Sequence, residues 1–425
     1  MKKTFLYPII LAAGLLAATA IAAWPRAQHV PASSPAAYAP TPENIARGEY
    51  LARAGDCMAC HTARAGAPFA GGRFLDTPFG RVAAPNITPD TATGIGNWSA
   101  DDFWGALHNG TSKDGRLLYP AFPYANYTKI TRADSDALYA YLRSVAPVRQ
   151  ASPAHALRFP YNQQWALAGW RLLYFKPGVY EPDTRQDASW NRGAYLVQGL
   201  GHCNACHSSR NSLGASEQGL SGGLIPQLGW YAPSLTADSE AGLGNWEVEH
   251  IVQLLRTGVS PRATVFGPMA EVVARSLQHL SSDDARAMAL YLKSLPASPA
   301  TPAAEAPAGA EAERTIQAGK VLYEHHCADC HGADGRGKAP AYPPLAGNRA
   351  LTMREPVNAI RVVLNGGFAP GTAGNPRPYG MPPFGPVLGD AEVAQVVTYL
   401  RASWGNRASA VTAQDVNRYR TVPLD

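Results

Sequence analysis

Three copies of one pentapeptide constrain this chain more than any other feature. Cys57-Met58-Ala59-Cys60-His61, Cys203-Asn204-Ala205-Cys206-His207 and Cys327-Ala328-Asp329-Cys330-His331 all read C-x-x-C-H, the spacing of c-type haem attachment. Two thiols three positions apart each form a thioether to one haem vinyl group. The His directly after the second Cys supplies the proximal imidazole nitrogen. These motifs use all six cysteines, so none remains for a disulfide. A structural zinc site needs four ligands close together, and consecutive motifs here lie more than a hundred residues apart. A thioredoxin-like pair needs a single motif inside a βαβ pattern. The expectation is three covalent haem c groups, with His61, His207 and His331 as proximal iron ligands.

A chain of 425 residues is long enough for two to four domains. Its 46% hydrophobic share is enough for sizeable cores. The 40 glycines and 36 prolines point to loop-rich domains rather than long helical bundles. The net charge of +5 is spread along the chain without a basic block, which gives no support for nucleic-acid binding. Lys2 and Lys3 precede an uncharged run from Thr4 to Ala23, followed by Trp24-Pro25-Arg26. Residues 1–26 therefore read as a signal peptide, with Ala20-Ile21-Ala22 as cleavage site, or as an uncleaved apolar helix long enough to span a bilayer. Trp24 and Arg26 suit a membrane interface, and the anchor is preferred. Either reading exports the chain. The expected location is the periplasmic side of the bacterial inner membrane, held by the N-terminal helix.

The order of signals repeats. Arg47-Gly48-Glu49-Tyr50-Leu51 precedes the first motif and Arg192-Gly193-Ala194-Tyr195-Leu196 the second. Gly94-Ile95-Gly96-Asn97-Trp98 returns as Gly242-Leu243-Gly244-Asn245-Trp246 at a nearly constant offset. This is duplication of a domain-sized unit, not a short solenoid repeat. Ser99 with Asp102 predicts a capped helix that stops at Asn109-Gly110. Helices are expected over 42–54, 133–145, 247–256, 282–294 and 390–403. In each copy a glycine of the first helix is expected to let an aromatic of the last helix cross closely: Gly48 with Tyr141, Gly193 with Tyr291, Gly319 with Tyr399. The boundaries follow: linker 27–41, first domain 42–150, aromatic-rich connection 151–188, second domain 189–296, linker 297–310, third domain 311–425. In the connection, Trp165, Trp170, Tyr174 and Phe175 form either a strap or ordinary core, and core is preferred.

This pattern resembles the cytochrome c fold three times over: mainly α, three tandem domains with long loops, preceded by one N-terminal apolar helix. From about residue 42 onward the chain resembles the three-haem cytochrome c subunits of membrane-bound periplasmic dehydrogenases. These include those acting with alcohol, gluconate, sorbitol or fructose dehydrogenases and with molybdenum hydroxylases of aromatic N-heterocycles. The resemblance rests on the two Arg-Gly-x-Tyr-Leu segments, Gly115 to Tyr124, Gly267-Pro268-Met269 and Gly380-Met381-Pro382-Pro383. It implies electron transfer from a flavin- or molybdenum-dependent dehydrogenase subunit to ubiquinone or a terminal oxidase. Donors of the CH–OH, aldehyde or N-heterocycle type are implied for that partner.

Methionine as sixth ligand raises the potential of a c-type haem. Of six methionines, Met1 starts the chain, Met58 sits inside a haem motif, Met288 lies in a predicted helix, and Met353 stands in a short polar stretch. Met269 and Met381 remain, each in a Gly/Pro-rich loop, and are assigned as distal ligands of the second and third haems. The first copy has no counterpart. The step from Gly258 to Met269, taken from Gly110, lands on Ala121 and Phe122. His108 is a candidate for a bis-imidazole site there and Lys129 a weaker one, but His108 falls late on a helix and is read as a surface residue. No G-x-G-x-x-G follows a predicted strand and no H-E-x-x-H is present, so the chain by itself is expected to be no enzyme. The alternative is a haem enzyme such as a peroxidase working at an open first haem.

Overall fold

The computed structural model describes residues 39–217, 219–238, 242–298 and 306–422. They divide into two compact units, one of 39–52 with 60–181, the other of 53–59 with 182–422. Both are mainly helical.

The first unit holds most of α1 (Pro42–Ala54) and the last two residues of the short α2 (Cys57–His61), the stretch 53–59 between them counting with the second. A small antiparallel sheet follows, β1 (Phe74–Thr77) against β2 (Gly80–Ala83), with Phe74 opposite Ala83. Then come α3 (Ala100–Asn109), α4 (Tyr124–Tyr127) and α5 (Arg132–Ser144). The capping box expected of Ser99 and Asp102 is present, and Gly110 ends α3 in the left-handed region at φ 59°. Only glycine adopts that region without strain. β3 (Ala156–Leu157) pairs with β2, and α6 (Gln164–Tyr174) closes the unit.

In α6 the preferred core reading fails. Leu167 and Ala168 are buried, but Trp165 is 57% exposed and Leu172 and Leu173 66% each. Phe175, just past the helix end, does pack, edge-on to Tyr124 at 4.9 Å.

The second unit opens with α7 (Ala188–Gln198) and α8 (Asn204–His207), followed by the hairpin β4 (Gly223–Ile225) and β5 (Trp230–Ala232). It continues with α9 (Val248–Thr257), α10 (Pro268–Arg275) and α11 (Ser282–Ser294). Then come α12 (Ala310–His326), α13 (Ala328–His331), α14 (Arg349–Thr352) and α15 (Val357–Asn365). The ribbon β6 (Gly367–Phe368) with β7 (Gly380–Met381), then α16 (Asp390–Ala402) and α17 (Ala413–Arg420), complete it. A core of Tyr323, Ile360, Val393, Val397 and their neighbours lies among α12, α15 and α16.

One helix crossing recurs three times. A Cβ built on Gly48 would meet Tyr141 Cβ at 2.7 Å, one on Gly193 would meet Tyr291 Cβ at 2.9 Å, and one on Gly319 would meet Tyr399 Cβ at 2.8 Å. Real Cβ atoms do not approach so closely, so these backbones touch only because the residue is glycine. In two copies the residue before the glycine ties the pair together. Arg47 Nε donates to Asp134 at 2.8 Å, and Arg192 donates through Nε and Nη2 to the two oxygens of Asp284, each at 2.8 Å. Both carboxylates sit in the first turn of the last helix, where Thr131 and Ser281 cap the backbone N–H groups of Asp134 and Asp284. The Arg-Gly pair read from the sequence is thus one device, a charge-assisted clamp beside a close crossing. The third copy has Ala318 in the arginine's place.

No helix among the described residues is long and apolar enough to cross a membrane. The apolar helix expected within 4–23 lies outside the described residues. The expectation of a chain anchored at the periplasmic face of the inner membrane is therefore withdrawn.

Candidate functional site

Each C-x-x-C-H motif forms a short helix, so its His follows the second Cys within a single turn. The three imidazoles then do the same thing. His61 Nδ1 donates to the Pro85 carbonyl at 2.8 Å, His207 Nδ1 to the Pro233 carbonyl at 2.7 Å, and His331 Nδ1 to the Pro343 carbonyl at 3.1 Å. A carbonyl only accepts, so the proton is fixed on Nδ1 and the Nε2 lone pair is left for a metal. Burial also holds all three rings below the ordinary histidine pKa, His207 down to about 4. A ligating imidazole must be neutral, and this setting keeps it so.

The thiols lie in similar surroundings. Burial pushes Cys203 up to about 12 and Cys327 up to about 11, with the partner cysteine adding to each shift. Five of the six cysteines are half-buried, and Cys206 is exposed.

The three prolines were not singled out by sequence reasoning. The signal was there: Pro85-Asn86-Ile87-Thr88 and Pro233-Ser234-Leu235-Thr236 stand at the same offset as Trp98 and Trp246. What matters chemically is a backbone carbonyl, which no side chain announces.

In the third copy one cavity is lined by Cys327, Cys330, His331 and Met381 together, with Tyr342 and Phe384 among the apolar groups around them. Met381 is the second residue of β7, not part of an irregular loop. β7 pairs with β6, Gly367 opposite Met381, and the thioether packs against the unit's core. Met269 is likewise not in a loop: it lies in the first turn of α10, after Pro268, and is half-buried. Met288 and Met353 are 2% and 3% exposed, in keeping with their reading as structural residues.

The residues present fit a covalently held haem: a thiol pair, a neutral imidazole with a free Nε2, and in the third copy a thioether lining the same apolar cavity. The chain matches the cytochrome c family over residues 45–146 and 316–404. It is 43% identical over 394 residues to the gluconate 2-dehydrogenase cytochrome c subunit of Pantoea cypripedii, covering 88% of this chain and 89% of the relative. It is 40% identical over 397 residues to the alcohol dehydrogenase (quinone) cytochrome c subunit of Gluconobacter oxydans, covering 89% and 82%. It is 43% identical over 383 residues to a nicotinate dehydrogenase subunit of Pseudomonas putida, covering 88% of this chain and 32% of that longer one. The chain belongs to the dehydrogenase cytochrome c subunits.

Members of this family carry covalent haem c and transfer electrons within dehydrogenase complexes. The relatives give the peroxidase alternative no support. In this cytochrome subunit the first copy departs from the others around its middle helix. His108 is half-buried rather than a surface residue: its ring stacks on Trp104 at 4.5 Å and its Nδ1 donates to the Thr128 carbonyl at 3.0 Å. Burial lowers its pKa. Ala121 stands at the repeat position of the methionine; the next residue, Phe122, faces Tyr127 at 5.3 Å, and Ile130 is fully buried.

Proposed function

We propose that this chain carries three covalent haem c groups and serves as the electron-transfer subunit of a dehydrogenase complex, with no catalysis of its own. The observation that carries the count is the threefold His–proline carbonyl bond. The middle copy falls outside the two stretches matched to the cytochrome c family, yet it has the same bond, the same glycine crossing and the same Arg–Asp clamp as the first. These features support three cytochrome c domains at 42–150, 189–296 and 311–425.

Bound haem supplies a one-electron iron couple whose potential follows its axial ligands. The paired cysteines Cys57 with Cys60, Cys203 with Cys206, and Cys327 with Cys330 tether the three groups. His61, His207 and His331 present Nε2 to the irons, held in orientation by their proline carbonyls. Met269 and Met381 would supply thioether sulfur to the second and third irons as their distal ligands. The apolar lining around His331 and Met381 excludes water from the metal.

The names of the relatives support a donor of the CH–OH or N-heterocycle kind, and an aldehyde belongs to the same reading. Such a donor is oxidised on a separate flavin- or molybdenum-dependent subunit. The electrons leave to ubiquinone or a terminal oxidase. A pyridine haemochrome assay against protein mass should give three equivalents per chain, and two would remove one motif. Substrate should reduce the haems only after the catalytic subunit is added. Oxidation of alcohol, sugar or aldehyde by the isolated chain would overturn the reading.

A further inference from the structure

The four-residue helix α14 faces two ways. Asn348, Ala350 and Leu351 line the cavity of Cys327, Cys330, His331 and Met381. Arg349 turns instead to the second copy, its Cζ lying 5.6 Å from the centre of the buried Trp246 ring. The placement is firm. Arg401, fully buried on α16, donates from Nη1 to the carbonyls of Leu351 at 3.1 Å and Met353 at 2.9 Å.

α15, which follows α14, is tied to the strand beside His207: Tyr231 N, two residues before Pro233, donates to Asn358 Oδ1 at 2.9 Å, and the Pro233 carbonyl accepts from His207 Nδ1. Nη1 of Arg349 is buried and has no hydrogen-bond partner among the described residues. Arg262 reaches the same Trp246 ring at 6.0 Å, so cationic groups gather here. Burying a guanidinium without a counter-charge is costly, and burial alone draws this one's pKa down to about 10. The planar fork matches a carboxylate with two parallel donors. A haem held through His207 brings its own anions, the two propionates.

We propose that Arg349 binds a propionate of the haem held by Cys203, Cys206 and His207, so that α14 is the common wall of the second and third haem sites. The proposal rests on the three-haem reading above. The arginine neutralises the propionate and places positive charge near the iron. Both effects disfavour the oxidised, more positive iron and raise that haem's potential. The third copy thus tunes the haem of the second.

The test uses the full chain with Arg349→Gln and Arg349→Lys. Haem content, redox titration followed spectrally, and resonance Raman of the propionate bending mode are measured together. With three haems retained, Arg349→Gln should lower one midpoint by about tenfold in oxidised-to-reduced ratio, about 59 mV for one electron. That midpoint should differ from the one lowered by Met381→Leu, and Arg349→Lys should recover part of the shift. The propionate mode should move in Arg349→Gln. Three haems with unmoved midpoints and an unmoved propionate mode would overturn this proposal alone. A parent chain with no haem on Cys203 and Cys206 would overturn the three-haem reading and this proposal with it.

Discussion

Met381 lines the same cavity as Cys327, Cys330 and His331, and the buried Met288 and Met353 do not. Leucine nearly conserves the volume of methionine, so Met381→Leu removes the thioether at a packing cost under about 1.5 kcal/mol. The third haem should then lose its sixth ligand and its potential should fall, since Met/His ligation is what raises it. Carbon monoxide should bind one more reduced haem per chain than in the parent. An unchanged carbon monoxide count would remove Met381 from the iron. At this scale the sequence was legible wherever a side chain carries the chemistry. Cys, His and Met advertise themselves, and elimination among six methionines left Met269 and Met381, of which Met381 lines the cavity of the third copy. It was silent where the backbone acts, as at Pro85, Pro233 and Pro343. It also misplaced His108, whose stacking on Trp104 comes from a helical spacing of four residues that was not weighed.

Among the elements, the glycine crossings set two effects against each other. In a helix interior, Gly→Ala normally stabilises by about 0.5–1 kcal/mol through backbone entropy. At Gly193 the new methyl would meet the carbonyl carbon of Ala287 at 2.5 Å and Tyr291 Cβ at 2.9 Å. Neither can swing away, because one is backbone and the other is a first side-chain atom, and overpacking typically costs about 1–3 kcal/mol. The clash should win. Gly193→Ala should lower the midpoint of thermal unfolding, whereas Gly169→Ala, in α6 with nothing within 4 Å, should leave it equal or slightly higher. Thermal scans of both variants decide the matter, and a Gly193→Ala protein as stable as Gly169→Ala would mean that the helices do not cross there. These crossings, the Ser99 capping box and several helix bounds were legible because each depends on local chemistry or one small residue. The solvent-facing aromatics of α6 were misread, because an apolar side chain looks the same in sequence whether it is buried or exposed.

Across the molecule, the duplication makes its own exception visible. The second and third copies each supply a candidate thioether, while no methionine stands between Met58 and Met269. The first copy fills the corresponding ground with Phe122, packed toward Tyr127, and with the fully buried Ile130. Neither side chain can ligate iron. His108 keeps its Nδ1 on the Thr128 carbonyl and its ring face on Trp104, contacts that a swing toward a metal would give up. The first haem should therefore be five-coordinate or weakly held. Without methionine its potential should lie below those of the second and third. A redox titration should separate one haem from the other two, and carbon monoxide should bind about one reduced haem per parent chain, by the open-site logic of haem ligation. Such a site would divide labour among chemically similar groups, one low-potential haem and two matched ones, with the difference set by a single missing sulfur. Three matched low-spin haems, none binding carbon monoxide, would show that another group closes the first site, and His108 would be the first side chain to replace.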